Sequence, residues 1–319
     1  MHKRFVNHCT IDLTLIPDGP ILIKSGKEGA DPTKPDMEFV ETYHEGGKSI
    51  YLPGSSLKGA IRAHAERIVR TIGRDSNPNN PDILWANDPL SDNYDYLKKK
   101  SSSDIYKLSS FTDQLFGNTS IASRLRIQDA YPVDKKQVKI QERNGVAIDR
   151  VFGSVAVGPF NYQVCTAGEF RTKIHLKNFS LAQLGLIGLV LRDLNDGWFG
   201  IGFAKSRGLG TVTVKYNEAA VQYPGCKLDE NNHQIQQIVK PGHWGHAFLL
   251  GAGEFLEADE AEKYGFSKPD REQTPMAAEP MDLGFGVQLK WQGDGETGVP
   301  NLFKCAVCAW SKLLTGAAA

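Results

Sequence analysis

The sequence predicts an α+β fold on three observations: an alternating apolar stretch near the N-terminus, two helical patterns far apart in the chain, and an extended run soon after the second. Thr10 to Ile16 alternates apolar and polar residues as a strand with one buried face does, and the turn signal Pro17-Asp18-Gly19-Pro20 ends it. Leu57, Ile61, Ala65, Ile68 and Ile72 recur every three or four residues, which predicts a helix with Ser55 or Ser56 as its N-cap. A second helix is expected over Ser180 to Leu194, capped by Ser180, and Thr211 to Tyr216 reads as extended.

Between these elements lie three further stretches. The polar run from Ser25 to Lys48, with Asp31-Pro32 and Pro35-Asp36, is expected to be a long irregular loop, a class of segment that often carries function. The span from Gly73 to Ser110 is turn-rich and polar and is expected to be an excursion from the core. From Ser123 to Leu176 the polar and apolar residues alternate in strand-like and hairpin-like segments, among them Leu125 to Tyr131 and Glu169 to Leu176.

Composition narrows the class. The 319 residues include 40% hydrophobic and 23% charged residues with 32 Gly and 16 Pro, an ordinary globular make-up rich in turns. The most apolar window, Leu181 to Leu194, contains Gln183, Arg192 and Asp193, so no membrane span is expected. Polar Asn7, His8 and Asp12 stand where a secretion signal needs an apolar stretch, and five cysteines fit reduced thiols better than a disulfide framework. These features lead us to expect a soluble, cytoplasmic protein.

The formal net charge of zero disfavours a polybasic tail, but it is a cancellation. Residues 1–216 hold 29 Lys and Arg against 23 Asp and Glu, whereas residues 217–319 hold 8 against 14. Residues 120–177 alone contribute 10 basic and 5 acidic residues, concentrating the positive excess around the expected hairpin.

Two motifs suit a phosphodiester. Pro53-Gly54-Ser55-Ser56-Leu57-Lys58-Gly59 opens a helix, where unpaired N–H groups and the positive dipole end favour an anion, and Lys58 and Arg62 add charge one turn in. The loop from Gly200 to Gly210 sets Lys205, Ser206 and Arg207 among closely spaced glycines. It lacks the Walker A pattern, and an extended run rather than a helix follows it. Each motif also has a bland reading, a capped amphipathic helix and a tight glycine hairpin with solvated charges.

Taken in order, Pro53 to Arg62, Leu115-Phe116-Gly117, Asn144 to Arg150, Gly168-Glu169-Phe170 and Gly202 to Gly210 resemble the RAMP superfamily, above all the backbone subunits that coat the guide RNA in type III CRISPR effector complexes. The resemblance covers about residues 1–216, and residues 217–319 suggest a subtype with an acidic C-terminal extension, such as type III-D. It implies an RNA-recognition-motif-like (ferredoxin-like) core with an inserted β-hairpin thumb at about 135–164. Ser55, Ser56, Lys58, Arg62, Lys205, Ser206 and Arg207 would bind guide RNA, with Asn144 and Arg150 at the base of the thumb. The implied partners are guide RNA, target RNA, adjacent backbone subunits and other subunits of the complex, with no membrane.

The same resemblance points to an aspartate in the loop before the first helix as the group that cuts target RNA. Asp36-Met37-Glu38-Phe39-Val40-Glu41 is a near match with one residue added to the spacing, so Asp36 is the expected catalytic and metal-binding residue and Asp31 the alternative. Mg or Mn would be the cofactor. His44 lies in the same loop as a candidate base. The competing functions are a non-catalytic guide-binding subunit and a guide-processing endonuclease that works without metal. Separately, His243-x-x-His246 and Cys305-x-x-Cys308 carry the ligand types of a structural zinc site, although Leu302 to Trp310 also reads as helix core.

Overall fold

The computed structural model describes residues 4–26, 35–76, 83–90, 94–229, 231 and 233–316. In chain order the elements are β1 (His8–Pro17), β2 (Glu41–Tyr43), β3 (Lys48–Ile50), α1 (Gly54–Ile72), α2 (Ser102–Leu108), α3 (Phe111–Phe116), β4 (Leu125–Ile127) and β5 (Tyr131–Pro132). Then come β6 (Lys139–Ile148), β7 (Val155–Ala167), β8 (Phe170–Lys177), α4 (Leu181–Asn195) and β9 (Val212–Tyr223). The C-terminal part adds β10 (Cys226–Asp229), β11 (Gln234–Gln237), β12 (His243–Gly245), β13 (Phe248–Leu250), α5 (Ala258–Tyr264), β14 (Arg271–Gln273), β15 (Glu279–Pro280), β16 (Val287–Gln292) and α6 (Val299–Gly316).

The main sheet is antiparallel, with strands in the order β15-β16-β9-β1-β8-β4, and β5 pairs with the end of β8. Taking β1-α1-β4-β8-α4-β9 as the core gives strand, helix, strand, strand, helix, strand. In space the fourth strand lies beside the first, then the third, then the second. This is the ferredoxin-like arrangement the sequence led us to expect.

Alternation in β1 decides which face is buried. Cys9, Ile11, Leu13 and Leu15 are at most 2% exposed and pack with Leu57, Ile61, Ala65 and Val69 of α1 and with the buried face of α4 in one core. Burying a Leu or Ile side chain contributes about 1.5–3 kcal/mol, so this stripe decides how α1 lies on the sheet. The Ser180–Gln183 capping box starts α4 as expected. On that helix, a Cβ at Gly188 would stand 2.7 Å from Cβ of Phe303, so glycine is what lets α6 come this close.

Several boundaries differ from expectation. Helix α1 starts at Gly54, with Pro53 at its cap position, so neither Ser55 nor Ser56 caps it. The Asp129 carboxylate replaces a local cap by accepting the Gly54 N–H at 2.7 Å. The 25–48 stretch contains a short ribbon, β2 paired with β3. The 73–110 excursion contains α2, whose N-cap Ser101 accepts the Asp104 N–H. The division at 216 falls inside β9; β16 pairs along the outer edge of β9 and α6 packs beside α4, so parts of the C-terminal segment complete the central sheet and its helical layer. Among the described residues no helix is long and apolar enough to cross a membrane.

Candidate RNA interface

Residues 20–25 tie the candidate site together. Ile21 exchanges both backbone hydrogen bonds with Cys165 at the root of β7, at 2.8 and 2.9 Å. The Phe203 and Gly210 N–H groups of the glycine-rich loop donate to the Leu22 and Pro20 carbonyls, at 2.7 and 2.8 Å. On the other side the Val40 N–H donates to Ile23 O, and the Ser25 N–H donates to Glu38 O. One short stretch thus joins the basic loop, the Asp36 segment and the β6–β7 hairpin.

The glycine-rich loop is a single 3-10 turn, Lys205–Arg207, between Ala204 (φ 55°) and Gly208 (φ 82°), both left-handed. Its glycines set its position. Gly202 has φ +79°, and a Cβ there would lie 2.3 Å from the Leu22 carbonyl oxygen. Lys205, Ser206 and Arg207 are exposed at the crest. Beneath them the Phe203 ring carries the Lys24 ammonium 3.8 Å from its centroid and the Arg207 guanidinium at 5.1 Å. Lys24 escaped the sequence reading because only the long-range contact of residues 22 and 203 brings it there.

Lys58 and Arg62 of α1 turn toward the protein. The Lys58 ammonium donates to Ser123 Oγ at 2.8 Å, and burial together with the Arg62 charge lowers its pKa. Arg62 donates through Nε to Glu66, through Nη1 to the Gly117 carbonyl and through Nη2 to Asp113, at 2.8, 2.8 and 2.7 Å. The Leu115-Phe116-Gly117 motif is therefore the docking point of Arg62. Ser55 is exposed and Ser56 half-buried on the first turn.

The thumb is the β6–β7 hairpin, Lys139 to Ala167, displaced a few residues from the expected 135–164. Asn144 lies partway along it opposite Asn161, and Arg150 sits in the exposed turn, so this stretch runs toward the tip rather than forming the base. The length of the ladder explains the shift, since pairing continues from Lys139 out to Ile148. At the tip the Asp149 carboxylate accepts the Val151 and Phe152 N–H groups, which lower its pKa.

Asp36 is exposed beside the thumb. Its Oδ2 accepts the Asn161 N–H at 2.8 Å, and Met37 and Gln163 continue the contact by backbone bonds. Asn144 and Asp36 are thus brought to the same part of the hairpin through Asn161. Asp31 lies outside the described residues. The His44 ring stacks on Tyr131, 3.7 Å between centroids, and Lys135 binds the carbonyls of its turn, so His44 is engaged with β5.

Among the described residues no group of three or more His, Cys, Asp or Glu side chains is placed to hold a metal ion. The zinc expectation fails on this point. His246 Nδ1 contacts the His233 carbonyl, whereas Cys305 and Cys308 lie on α6 with their thiols directed at Asn301 and the Lys304 carbonyl. Each pair has ligand spacing, but they belong to elements that do not converge.

The fold and site define a class of protein: a ferredoxin-like core carrying an exposed β-hairpin and a basic glycine-rich loop. The RAMP superfamily model matches residues 14–213, more than half of the chain, and the chain belongs to that superfamily. Membership makes it a CRISPR-associated RNA-binding protein. No curated protein matches it.

Proposed function

We propose that this chain is a guide-RNA-binding backbone subunit of a type III CRISPR ribonucleoprotein and that it cuts complementary target RNA through Asp36. The observation that carries the reading is the shared scaffold of residues 20–25, which fixes the Asp36 segment relative to both the basic loop and the thumb. Guide phosphates would lie on Lys205, Ser206 and Arg207 with Lys24 behind them, and the Ser55–Ser56 turn would offer further donors. Arg62 would act mainly by holding α1 against α3, since its donors are engaged within the protein, whereas Lys58 gives one hydrogen bond to Ser123 and would keep donors for guide phosphate. Asn144 and Arg150 would meet the duplex along the thumb, with adjacent backbone subunits continuing the filament.

For cleavage, the second Asp36 oxygen would take the proton of a ribose 2′-OH. The ribose 2′ oxygen then attacks the adjacent phosphorus in line and the bond to O5′ breaks, leaving a 2′,3′-cyclic phosphate and, once O5′ takes a proton from water, a 5′-OH. Among the described residues no cluster of metal ligands surrounds Asp36, which would hold a Mg or Mn ion through the same oxygen that otherwise takes the proton; such an ion would supply positive charge beside the reacting phosphate.

The test is target cleavage by the complex assembled on a defined guide. Asp36→Ala should remove the regularly spaced cuts contributed by this subunit while leaving guide binding intact, and chelation should do the same. Retained cuts in Asp36→Ala would refute catalysis by Asp36 and leave the non-catalytic guide-binding role. Chelator-resistant cutting of repeat RNA instead would identify a guide-processing nuclease.

A further inference from the structure

The helix-free face of the main sheet is a charged surface that the glycine-rich loop and thumb do not use. The β8 sequence Phe-Arg-Thr-Lys-Ile-His-Leu-Lys alternates strictly: Phe170, Thr172, Ile174 and Leu176 are buried, and Arg171, Lys173, His175 and Lys177 point the other way. Residues two apart on a strand are about 6.7 Å apart, so β8 presents a straight row of basic and imidazole groups at one regular interval. Register extends the row sideways. Arg126 of β4 lies beside His175, and His8 of β1 lies beside Lys177.

The acids do not cancel this charge. Asp12 of β1 lies opposite Lys173 and accepts two hydrogen bonds from Arg171, at 2.8 and 2.9 Å, with Lys173 at 3.6 Å. Glu218 stands one strand further over, opposite Asp12. Arg126 and Lys177 have no ion-pair partner among the described residues. His175 is held neutral by burial and by Arg126, His8 and Lys173, and its two nitrogens contact Thr10 Oγ1 and Gln128 Nε2 at 3.2 and 3.0 Å.

We propose that this face is a second binding surface for single-stranded RNA, held through its phosphodiester backbone by Arg126, Lys173 and Lys177, with His8 and His175 between them. Charge complementarity selects the occupant: Lys173 and Lys177 flank neutral His175 along β8, and Arg126 of β4 stands beside His175, so three cations line one path and suit a chain with one negative charge per repeat. On this face β1, β8 and β9 present no Phe, Tyr or Trp, and Tyr131 of β5, beside Arg171, is already stacked with His44, so contact is mainly to the phosphodiester backbone and depends little on sequence. The residues that hold the glycine-rich loop, Pro20, Leu22 and Lys24, are not part of this surface, so RNA bound here needs neither that loop nor Asp36.

The experiment uses the full chain with Lys205→Ala and Arg207→Ala already in place, and fluorescein-labelled oligouridylate as the probe. Adding Arg126→Glu and Lys177→Glu is expected to weaken residual binding at least about tenfold. Arg126→Gln with Lys177→Gln should lower the slope of log affinity against log salt by about 1.4, two phosphate contacts on a single strand. The glutamine pair keeps the test valid if the charge reversals disturb folding, which thermal melting reports. Unchanged affinity and slope in both variants would overturn the proposal. Displacement of the RNA by polyglutamate at equal charge would also overturn it, in favour of an acidic protein partner.

Discussion

The Asp36 carboxylate accepts a hydrogen bond from the backbone N–H of Asn161 at 2.8 Å, so a loop acid is fastened to the thumb through one oxygen while the other, among the described residues, accepts none. Asn at position 36 keeps an acceptor for that N–H but cannot take up a proton as a base. Asp36→Asn is therefore expected to keep guide affinity and thermal stability and to abolish the cut, read on a denaturing gel of labelled target. A cut at the parental rate would show that the carboxylate is not the base.

Arg62 and the crest residues of the glycine-rich loop should separate cleanly. Arg62 is 30% exposed and pairs with a fully buried Asp113 carboxylate, whose pKa is raised by burial and held back by Arg62. Removing a partner from a fully buried pair costs about 3–5 kcal/mol, and partial solvation of Arg62 reduces this to about 2 kcal/mol. Arg62→Ala should therefore lower the urea midpoint, whereas Lys205→Ala with Arg207→Ala should leave the midpoint alone and weaken guide binding with a smaller salt slope.

Gly202→Ala should act on both properties. An L-residue at φ +79° is strained, and the new Cβ would strike the Leu22 carbonyl oxygen, so the cost is at least about 2 kcal/mol. Because Leu22 belongs to the stretch that also holds the Asp36 segment, the variant should lose target cleavage together with guide affinity. Retention of full cleavage despite weaker guide binding would show that the two parts are uncoupled.

The acid limb of stability should carry a signature of the sheet face. Burial, with Arg126, His8 and Lys173 beside it, lowers His175 from 6.5 to about 4. Below pH 6.5 the unfolded chain binds a proton that the folded chain refuses, so stability is full above that pH and falls as pH drops toward 4. His175→Gln should shrink this loss, measured as the change in urea midpoint across the window. An identical acid loss in the variant would contradict the assignment.

The periodic elements were legible because burial imposes its period on the sequence. The alternation of Thr10 to Ile16, the 3.6-residue repeat of α1 and the Ser180 cap each describe a contact made within a few residues. What the sequence could not show were meetings between distant segments. Asp129 reaches the start of α1, Lys24 reaches Phe203, and Arg62 turns to Gly117 although its spacing says only which side of the helix it occupies. The histidine and cysteine pairs failed for the same reason, since local ligand spacing does not say whether β12 and α6 converge.

The pairing of β16 along β9 has a consequence for solubility. Ending the chain at residue 216 would leave the strand next to β1 cut short, with a row of unmatched amide and carbonyl groups beside apolar Ala219 and Val221 if the strand were kept whole. Such a border recruits other chains. The C-terminal segment covers it from within the same molecule, and the sheet then ends in the two-residue β15, which carries Pro280 and offers little to pair with.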